Sequence, residues 1–400
     1  MPGTIEDTLC RIVARRDGEM RDDLARFVAI PTGHNHTPGL DEFRGLVTDR
    51  LRAIGATVEM RAGDERPEWL KGSEVKGEAS PVAVCRRGGG VLKRGVMLAS
   101  HLDTVFDPAG RFREMVVSSD GATATGPGVV DMKGGIVIGL VALEALAEAG
   151  VDLGWTWVLN SDEETGSFCS DRVLREVAAE HRWGIATEPA LAGGELAIAR
   201  KGSGQFRVEA IGRSAHAGRA FHEGVSAVYA LAHALVAIAG MSDVGRGTTV
   251  NVGPVVGGTA TNVVPDRAYA WGNVRYVDPA AAEAVGAQLD ALSTDKSAMP
   301  RVVVERLFNR PAKPRLEATD RLAMAAREVA ESLGQKLPFA ETGGVCDGNN
   351  MQAAGLATID TLGVRGGGLH TEDEWIELGS LVERGQLLAC LLARLARDEV

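Results

Sequence analysis

The 400-residue sequence predicts an α/β protein, with a mostly parallel mixed sheet flanked by helices and an inserted α+β domain. Two observations support this fold class. Strand and helix patterns alternate through the first half of the chain, which is typical of parallel sheets with crossover helices. Near position 202 the pattern changes to the order β-α-β-β-α-β, and the alternating pattern returns after 312. The length also exceeds what one ordinary hydrophobic core supports, which favours two domains.

The first half of the chain supplies the alternating elements. Helical periodicity over 4–29 ends at Pro31, and a second helix is expected over about 40–54 before Gly55. Strands and helices then alternate over 96–100, 134–149, 155–159, 171–180 and 183–187. A parallel sheet built this way places the carboxyl ends of its strands along one edge.

The second unit is predicted at about 202–312. Its elements are a strand at 205–211, a helix at 225–239, strands at 248–256 and 268–277, a helix at 279–292 and a strand at 302–307. This is the ferredoxin-like order. Residues 1–201 and 313–400 then form the main domain, and an insertion in a catalytic domain makes a natural lid.

Composition excludes several classes of partner. The formal net charge of −11 disfavours nucleic acid and anionic membranes, since both need a basic face. No apolar run reaches about 18 residues, and no secretory signal pattern opens the sequence. The five scattered cysteines lack CxxC spacing, so reduced thiols and a cytoplasmic location are expected.

Histidine and acidic residues follow the predicted strand ends at five places. These are His101 with Asp103, then Asp131, the pair Glu163 and Glu164, then Glu188, and finally His370. Because ligands of open α/β sheets bind at the carboxyl ends of strands, we expect these residues to converge. Adjacent glutamates are costly to cluster unless a cation binds beside them.

Each signal also has an ordinary explanation. His101 and Asp103 fit a surface loop, Asp131 fits a helix cap in a Gly-rich turn, and the Glu163–Glu164 pair fits an exposed acidic turn. The remaining two, Glu188 and His370, fit a strand end and a loop in the same way. A phosphate-binding loop is excluded, because neither GxGxxG nor GxxxxGK[ST] fits the glycines.

The five signals together, in this order and spacing, resemble the di-zinc metallopeptidases of clan MH. This family includes glutamate carboxypeptidase, acetylornithine deacetylase, succinyl-diaminopimelate desuccinylase and aminoacylase relatives. The resemblance spans nearly the whole chain. It is strongest to the glutamate carboxypeptidase branch, through the segments NSDEETGS, SAHAG and NVVPD. It implies a zinc-peptidase-like catalytic domain with an inserted lid and dimerisation domain.

The resemblance implies a site with two Zn2+ ions per subunit. His101, Asp131 and Glu188 would hold one ion. Asp131, Glu164 and His370 would hold the other, with Asp131 bridging the two. Mixed histidine and carboxylate ligands suit zinc, with cobalt or manganese as substitutes.

The resemblance also assigns catalytic and substrate-binding roles. Glu163 would be the general base, and Asp103 would orient His101. His216, within SAHAG, would reach the neighbouring subunit's site and steady the oxyanion, which implies a homodimer. Two further residues, Asn262 and Arg275, would hold the substrate carboxylate.

Several positions depart from the family pattern, among them Phe221, where a proline is frequent after the SAHAG motif. Met132 replaces a frequent second acid, and we predict a cis Asp131–Met132 peptide bond because relatives often have one. Cys346 and Arg365 fall in loops expected to line the substrate pocket, where Arg365 would add a carboxylate contact. We do not expect Cys346 to be a nucleophile, because the metal site already supplies one.

The predicted function is hydrolysis of an amide bond in an N-acyl amino acid or peptide with a free carboxylate, in the manner of a glutamate carboxypeptidase. The alternative is a deacylase of short N-acyl amino acids, of the acetylornithine deacetylase or succinyl-diaminopimelate desuccinylase type. A metal-binding protein without hydrolytic activity would lack the base or a ligand, and neither is missing here. A nucleotide-binding enzyme would need a phosphate loop.

Overall fold

The structure is a computed structural model that describes residues 3–33, 36–70, 81–89 and 95–400. The α-helices in these ranges are α1 Ile5–Ala14, α2 Asp17–Val28, α3 Thr37–Ala53, α4 Gly134–Glu148, α5 Asp171–Ala178, α6 Ala227–Ala239, α7 Pro279–Asp290, α8 Glu317–Ser332, α9 Asp347–Ala353 and α10 Gly379–Ala396. The strands are β1 Thr57–Arg61, β2 Val82–Arg87, β3 Val96–His101, β4 Val116–Val117, β5 Thr123–Thr125, β6 Trp155–Asn160, β7 Trp183–Ala186, β8 Leu196–Arg200, β9 Gly202–Ile211, β10 Ala215–His216, β11 Thr249–Gly257, β12 Val263–Val264, β13 Arg267–Tyr276, β14 Arg301–Arg310, β15 Phe339–Thr342, β16 Ala357–Ile359, β17 Gly366–Gly367 and β18 Trp375–Glu377.

The main sheet has the strand order β1-β2-β6-β3-β7-β16. Strands β6, β3, β7 and β16 run parallel, whereas β1 and β2 pair antiparallel at one edge. Successive residues of β3 face opposite sides: Leu98 packs into the larger core with α4 and α10, and Met97 into a smaller core with α5. The sheet is therefore covered on both faces, as a parallel sheet must be, and the predicted fold class is confirmed.

This strand order brings the predicted site residues to one edge. Strand β3 ends at His101, between β6 and β7. Glu163 and Glu164 follow β6 after a short turn, and Glu188 follows β7. Parallel strands end on the same side, so residues from distant parts of the chain meet at this edge.

The start of α4 lies against the end of β7. A side chain at Gly135 would bring its Cβ within 2.0 Å of the Thr187 carbonyl oxygen, so only glycine permits this approach. The close packing sets the segment that carries Asp131 beside the segment that carries Glu188.

A separate antiparallel sheet, with order β11-β13-β9-β14, forms the second unit together with α6 and α7. Its elements follow the predicted β-α-β-β-α-β order, and it has its own apolar core around Phe206. The limits of that unit at 202 and 312 stay a prediction. Trp271 of β13 donates a hydrogen bond to the carbonyl of Trp69 at 2.7 Å, which joins the unit to the main one.

The chain passes between the two units twice, and the two passages lie side by side. Arg200 and Lys313 exchange backbone hydrogen bonds of 2.9 Å in each direction. The fully buried carboxylate of Asp360 binds both side chains: its Oδ1 lies 2.8 Å from Arg200 Nε, and its Oδ2 lies 3.0 Å from Lys313 Nζ. Two cations thus share one buried anion at this junction.

One sequence-based element is wrong. The helix predicted over 4–29 is two helices, α1 and α2, because Arg16 leaves the helical conformation at φ −97° and ψ 11°. The break lets Leu9 of α1 and Leu24 of α2 both reach the core. Within the part of the chain that the structure describes, no helix is long and apolar enough to cross a bilayer.

Candidate metal centre

Five predicted ligands meet at the strand ends, and we call them the ligand cluster. His101 is buried, and its Nε2 lies 3.2 Å from Asp131 Oδ1 and 3.8 Å from Glu188 Oε2. The imidazole of His370 lies on the other side, 3.6 Å from Asp131 Oδ2 and 3.1 Å from Glu164 Oε2. Asp131 therefore offers one oxygen to each histidine and occupies the centre of the cluster.

The electrostatics of the cluster favour bound cations. Burial raises the pKa of Glu164 to about 8, and the pKa of Glu188 is also raised. Burial opposes charge on the His101 ring, yet hydrogen bonds to the surrounding carboxylates raise its pKa well above the usual value. The carboxylates need positive charge beside them to stay ionised, which a divalent ion supplies.

The donor set fits a metal. One candidate ligand atom from each of His101, Asp131 and Glu164 lies within 4.8 Å of the others, which is close enough to hold metal. Two imidazoles and three carboxylates form a mixed nitrogen and oxygen set of the kind that zinc, cobalt and manganese accept. The Asp131–Met132 peptide bond is cis, so that prediction is confirmed.

Asp103 supports the site in a different way from the one predicted. The Nδ1 atom of His101 lies 3.0 Å from the backbone carbonyl of Asp103 but 3.5 Å from its carboxylate. The carboxylate instead accepts the backbone N–H groups of Glu163 at 3.3 Å and Glu164 at 3.0 Å. Asp103 thus orients His101 chiefly through its main chain and fixes the Glu163–Glu164 turn through its side chain.

Glu163 lies beside the cluster with 11% of its side chain exposed, and it pairs with an arginine that the sequence did not single out. Arg310, at the end of β14, places its Nη2 2.8 Å from Glu163 Oε1 and also bonds Ser167. Asp347 lies 3.8 Å from the same Nη2. Burial raises the pKa of Glu163 to about 7, which suits a group that exchanges protons near neutral pH.

Two arginines next to Glu163 carry unused hydrogen-bond donors. Among the described residues, the buried Arg275 Nη1 has no hydrogen-bond partner, and neither do Nε and Nη1 of Arg310. Burial and the nearby Arg310 charge both lower the pKa of Arg275. Two close guanidinium groups repel each other, so an anion between them would be strongly favoured.

The remaining predicted residues have no described hydrogen bond or ion pair with the cluster. His216 and Asn262 share a short ribbon, in which Ala217 N–H bonds the Asn262 carbonyl at 2.9 Å. Arg365 has its guanidinium bound to Glu377 at 2.8 Å and to Glu383 at 2.7 Å, which leaves little of it for a substrate.

The thiol of Cys346 is buried at the start of α9. It accepts the N–H of Gly348 at 3.3 Å. Burial raises the pKa of the thiol well above its usual value and so keeps it neutral. A neutral thiol is a poor nucleophile, which supports the expectation that Cys346 is not one.

A mixed α/β unit whose strand ends gather histidines and carboxylates, joined to a ferredoxin-like unit, defines a metal-dependent hydrolase of the peptidase class. Residues 97–394 match the profile of Peptidase family M20/M25/M40, and the chain belongs to this family. The predicted family and enzyme class are therefore confirmed.

Curated relatives and solved structures agree with this assignment. Carboxypeptidase G2 of Pseudomonas sp. (strain RS-16) is 28% identical over 377 residues, which cover 92% of this chain and 87% of that protein. Succinyl-diaminopimelate desuccinylase 2 of Shewanella loihica is 27% identical over 74% of this chain and 84% of its own length. A Staphylococcus aureus tripeptidase shares the fold with a TM-score of 0.74 at 21% identity, covering 95% of this chain and 99% of that one.

Proposed function

We propose that this protein is a di-metal amidohydrolase that cleaves the amide bond of an N-acyl amino acid or peptide with a free carboxylate. The observation that carries the proposal is the pair of partly unpartnered guanidinium groups, Arg275 and Arg310, next to Glu163 and the ligand cluster. Such a pair fits a substrate carboxylate bound beside the proposed metal centre, because guanidinium groups bind carboxylates with paired hydrogen bonds. The likeness to Carboxypeptidase G2 supports the same substrate class.

The ligand cluster would hold two ions, most simply Zn2+. His101 and Glu188 would bind the first ion, and Glu164 and His370 would bind the second. Asp131 would bind both ions, since one of its oxygens faces His101 and the other faces His370. Bound ions of this kind acidify the attacking water and polarise the scissile carbonyl.

Proton transfer falls to Glu163. Its carboxylate lies beside the cluster without being needed as a ligand, and Arg310 holds it in place. As the base it takes the proton of the attacking water, and as the acid it returns that proton to the leaving nitrogen. Asp103 keeps the turn that carries it fixed.

The substrate class can be tested with matched compounds. We expect the Zn2+-loaded enzyme to hydrolyse N-benzoyl-glutamate, and to lose about 10- to 100-fold in kcat/KM when the α-carboxylate is replaced by an amide, because the guanidinium contacts are lost. Dialysis against a chelator should abolish hydrolysis, and Zn2+ should restore it. Equal rates for the acid and the amide would contradict the proposal.

The second candidate is a short-chain deacylase, which the likeness to succinyl-diaminopimelate desuccinylase 2 favours. N-acetyl- and N-succinyl-glutamate differ from the benzoyl compound only in the acyl group. The deacylase assignment predicts that the short acyl compounds are cut faster, and the carboxypeptidase-like assignment predicts the reverse.

The cytoplasmic location expected from the sequence stays a prediction.

We also infer that the protein acts as a homodimer with His216 reaching the partner's site. In its own chain His216 has no described hydrogen bond or ion pair with the ligand cluster. Its Nδ1 accepts the backbone N–H groups of Gly218 and Arg219 at 3.1 and 3.2 Å, so the proton lies on Nε2, which is free to donate to an oxyanion.

The inserted unit offers a surface for a second copy. Tyr229 and Val236, one above the other on α6, are 65% and 76% exposed, and Val255 and Val256 on β11 are 54% and 55% exposed. Strand β11 lies at the edge of its sheet. Exposed edge strands and apolar patches of this kind are typical of subunit interfaces.

Mixing two inactive variants tests the shared site. His216→Ala and Glu163→Gln chains, once exchanged, would form heterodimers with one complete site each, and we expect roughly a quarter of the wild-type rate to return. Subunit exchange is followed with differently labelled chains. Proven exchange without recovered activity would exclude a role for His216 in the partner's site.

A further inference from the structure

We propose that Glu374 is a positioning residue that holds Asp131 and His370 at the spacing one metal ion requires. The inference rests on the proposed metal centre and adds a residue that is neither a ligand nor a base. Glu374 is the last residue before β18 and is 1% exposed. Its role follows from what its carboxylate and its main chain contact.

The carboxylate of Glu374 binds backbone amides of the segment that carries Asp131. Its Oε1 accepts the N–H groups of Val130 at 2.9 Å and Asp131 at 3.0 Å, and its Oε2 accepts the N–H of Gly128 at 3.3 Å. Hydrogen bonds from amides to a carboxylate are charge-assisted and stronger than neutral ones. Gly128, in the left-handed region at φ +72°, turns this segment so that its amides face one acceptor.

The main chain of Glu374 belongs to the hairpin loop that carries His370. Its N–H bonds the Thr371 carbonyl at 3.1 Å and so closes the turn after His370. Its carbonyl accepts the N–H of Gly126 at 3.2 Å, next to the pairing of β18 with β5. One residue therefore joins the loop of His370 to the loop of Asp131.

The two loops supply two of the three ligands of one proposed ion. Asp131 Oδ2 and His370 Nε2 lie 3.6 Å apart. His370 is half exposed, so packing fixes it less firmly than the buried His101. Loss of the Glu374 carboxylate should therefore weaken binding of the ion between Glu164 and His370 more than binding of the ion beside His101.

Asp103 supplies a parallel on the other side of the centre. Its carboxylate accepts the consecutive amides of Glu163 and Glu164, just as Glu374 accepts those of Val130 and Asp131. Each ligand-bearing turn is thus fixed through its backbone by a buried carboxylate. Such supporting contacts set metal affinity because they orient the ligands before the ion binds.

The test is calorimetric titration of Zn2+ into chelator-stripped protein. For Glu374→Gln, which keeps the shape but not the charge, we expect one of the two ions to bind about 10- to 100-fold more weakly. The other ion should bind as in the wild type, and saturating Zn2+ should restore kcat. Glu372→Gln, an exposed glutamate in the same loop, is the matched control and should bind both ions normally.

Two results would overturn the proposal: unchanged affinity for both ions in Glu374→Gln, or an equal loss for both together with a lower melting temperature of the stripped protein. If the variant does not fold, amide hydrogen exchange of the metal-stripped wild type tests the proposal instead. We expect slow exchange of the backbone amides over 128–131. Rapid exchange would show that the contact with Glu374 is not formed before the metal binds. A wild type that binds no metal would instead refute the proposed function. His370→Ala should weaken binding of the same ion, which would identify it as the ion held by Glu164 and His370.

Discussion

Glu163→Gln is expected to lower kcat by about 10²- to 10⁴-fold while both metal ions stay bound. The carboxylate of Glu163, which is largely but not fully buried, pairs with Arg310 at 2.8 Å and lies beside the ligand cluster. Glutamine keeps the shape and an oxygen for Arg310, but it cannot carry a proton from water to the leaving nitrogen. The loss should therefore appear in kcat, with a smaller effect on KM, and metal content measured by elemental analysis should not change.

The neighbouring residue provides the control for that experiment. Glu164→Gln alters a proposed ligand that lies 3.1 Å from His370, so it should lose metal as well as activity. A Glu163 variant that remained fully active, or that lost an ion in the same way as the Glu164 variant, would show that the two roles are assigned wrongly.

Asp360→Asn is expected to lower the free energy of unfolding by about 3–5 kcal/mol. The fully buried carboxylate binds Arg200 and Lys313, whose side chains are 7% and 0% exposed, so its removal leaves two buried cations without their anion. Urea unfolding followed by circular dichroism measures the change. The matched control is Asp320→Asn, which breaks the exposed pair with Arg315 and should cost at most about 1 kcal/mol.

The pH dependence of this difference has a definite sign. Burial opposes charge on Asp360, but the two cations outweigh it and lower its pKa below the usual value. Its contribution to stability is complete above the unfolded pKa of about 4 and is lost as pH falls through the lower folded value. The wild type and Asp360→Asn should therefore differ by a constant amount above about pH 4 and converge below it. Equal losses for the buried and exposed variants would refute this account.

The regular elements were predictable because they depend on local pattern. The alternation around β3, α4, β6 and β7 has the periods of buried strands and helices, and the motif residues that follow the strand ends do meet. Periodicity does not predict the break between α1 and α2, since the apolar positions on both sides fit one helical period. The choice between one helix and two is made by tertiary packing, which periodicity does not contain.

The supporting residues were not predictable in the same way. Arg310 is one of several arginines in β14, and its pairing with Glu163 joins positions 147 residues apart. Glu374 looks like any acid in a loop, because its partners are backbone amides that leave no mark in the sequence. The loop that carries Arg365 suggests a substrate contact, and its sequence does not reveal the ion pairs with Glu377 and Glu383.

The contacts of Asp103 and Glu374 have a consequence for how this protein tolerates mutation. Both carboxylates bind amide hydrogens that every residue except proline possesses. As far as these contacts are concerned, the side chain at Val130 can change freely during divergence, whereas proline there would remove a donor outright. The geometry of the centre thus depends partly on peptide groups. Side chains in the surrounding loops can therefore change, and with them the substrate preference, while these contacts are kept.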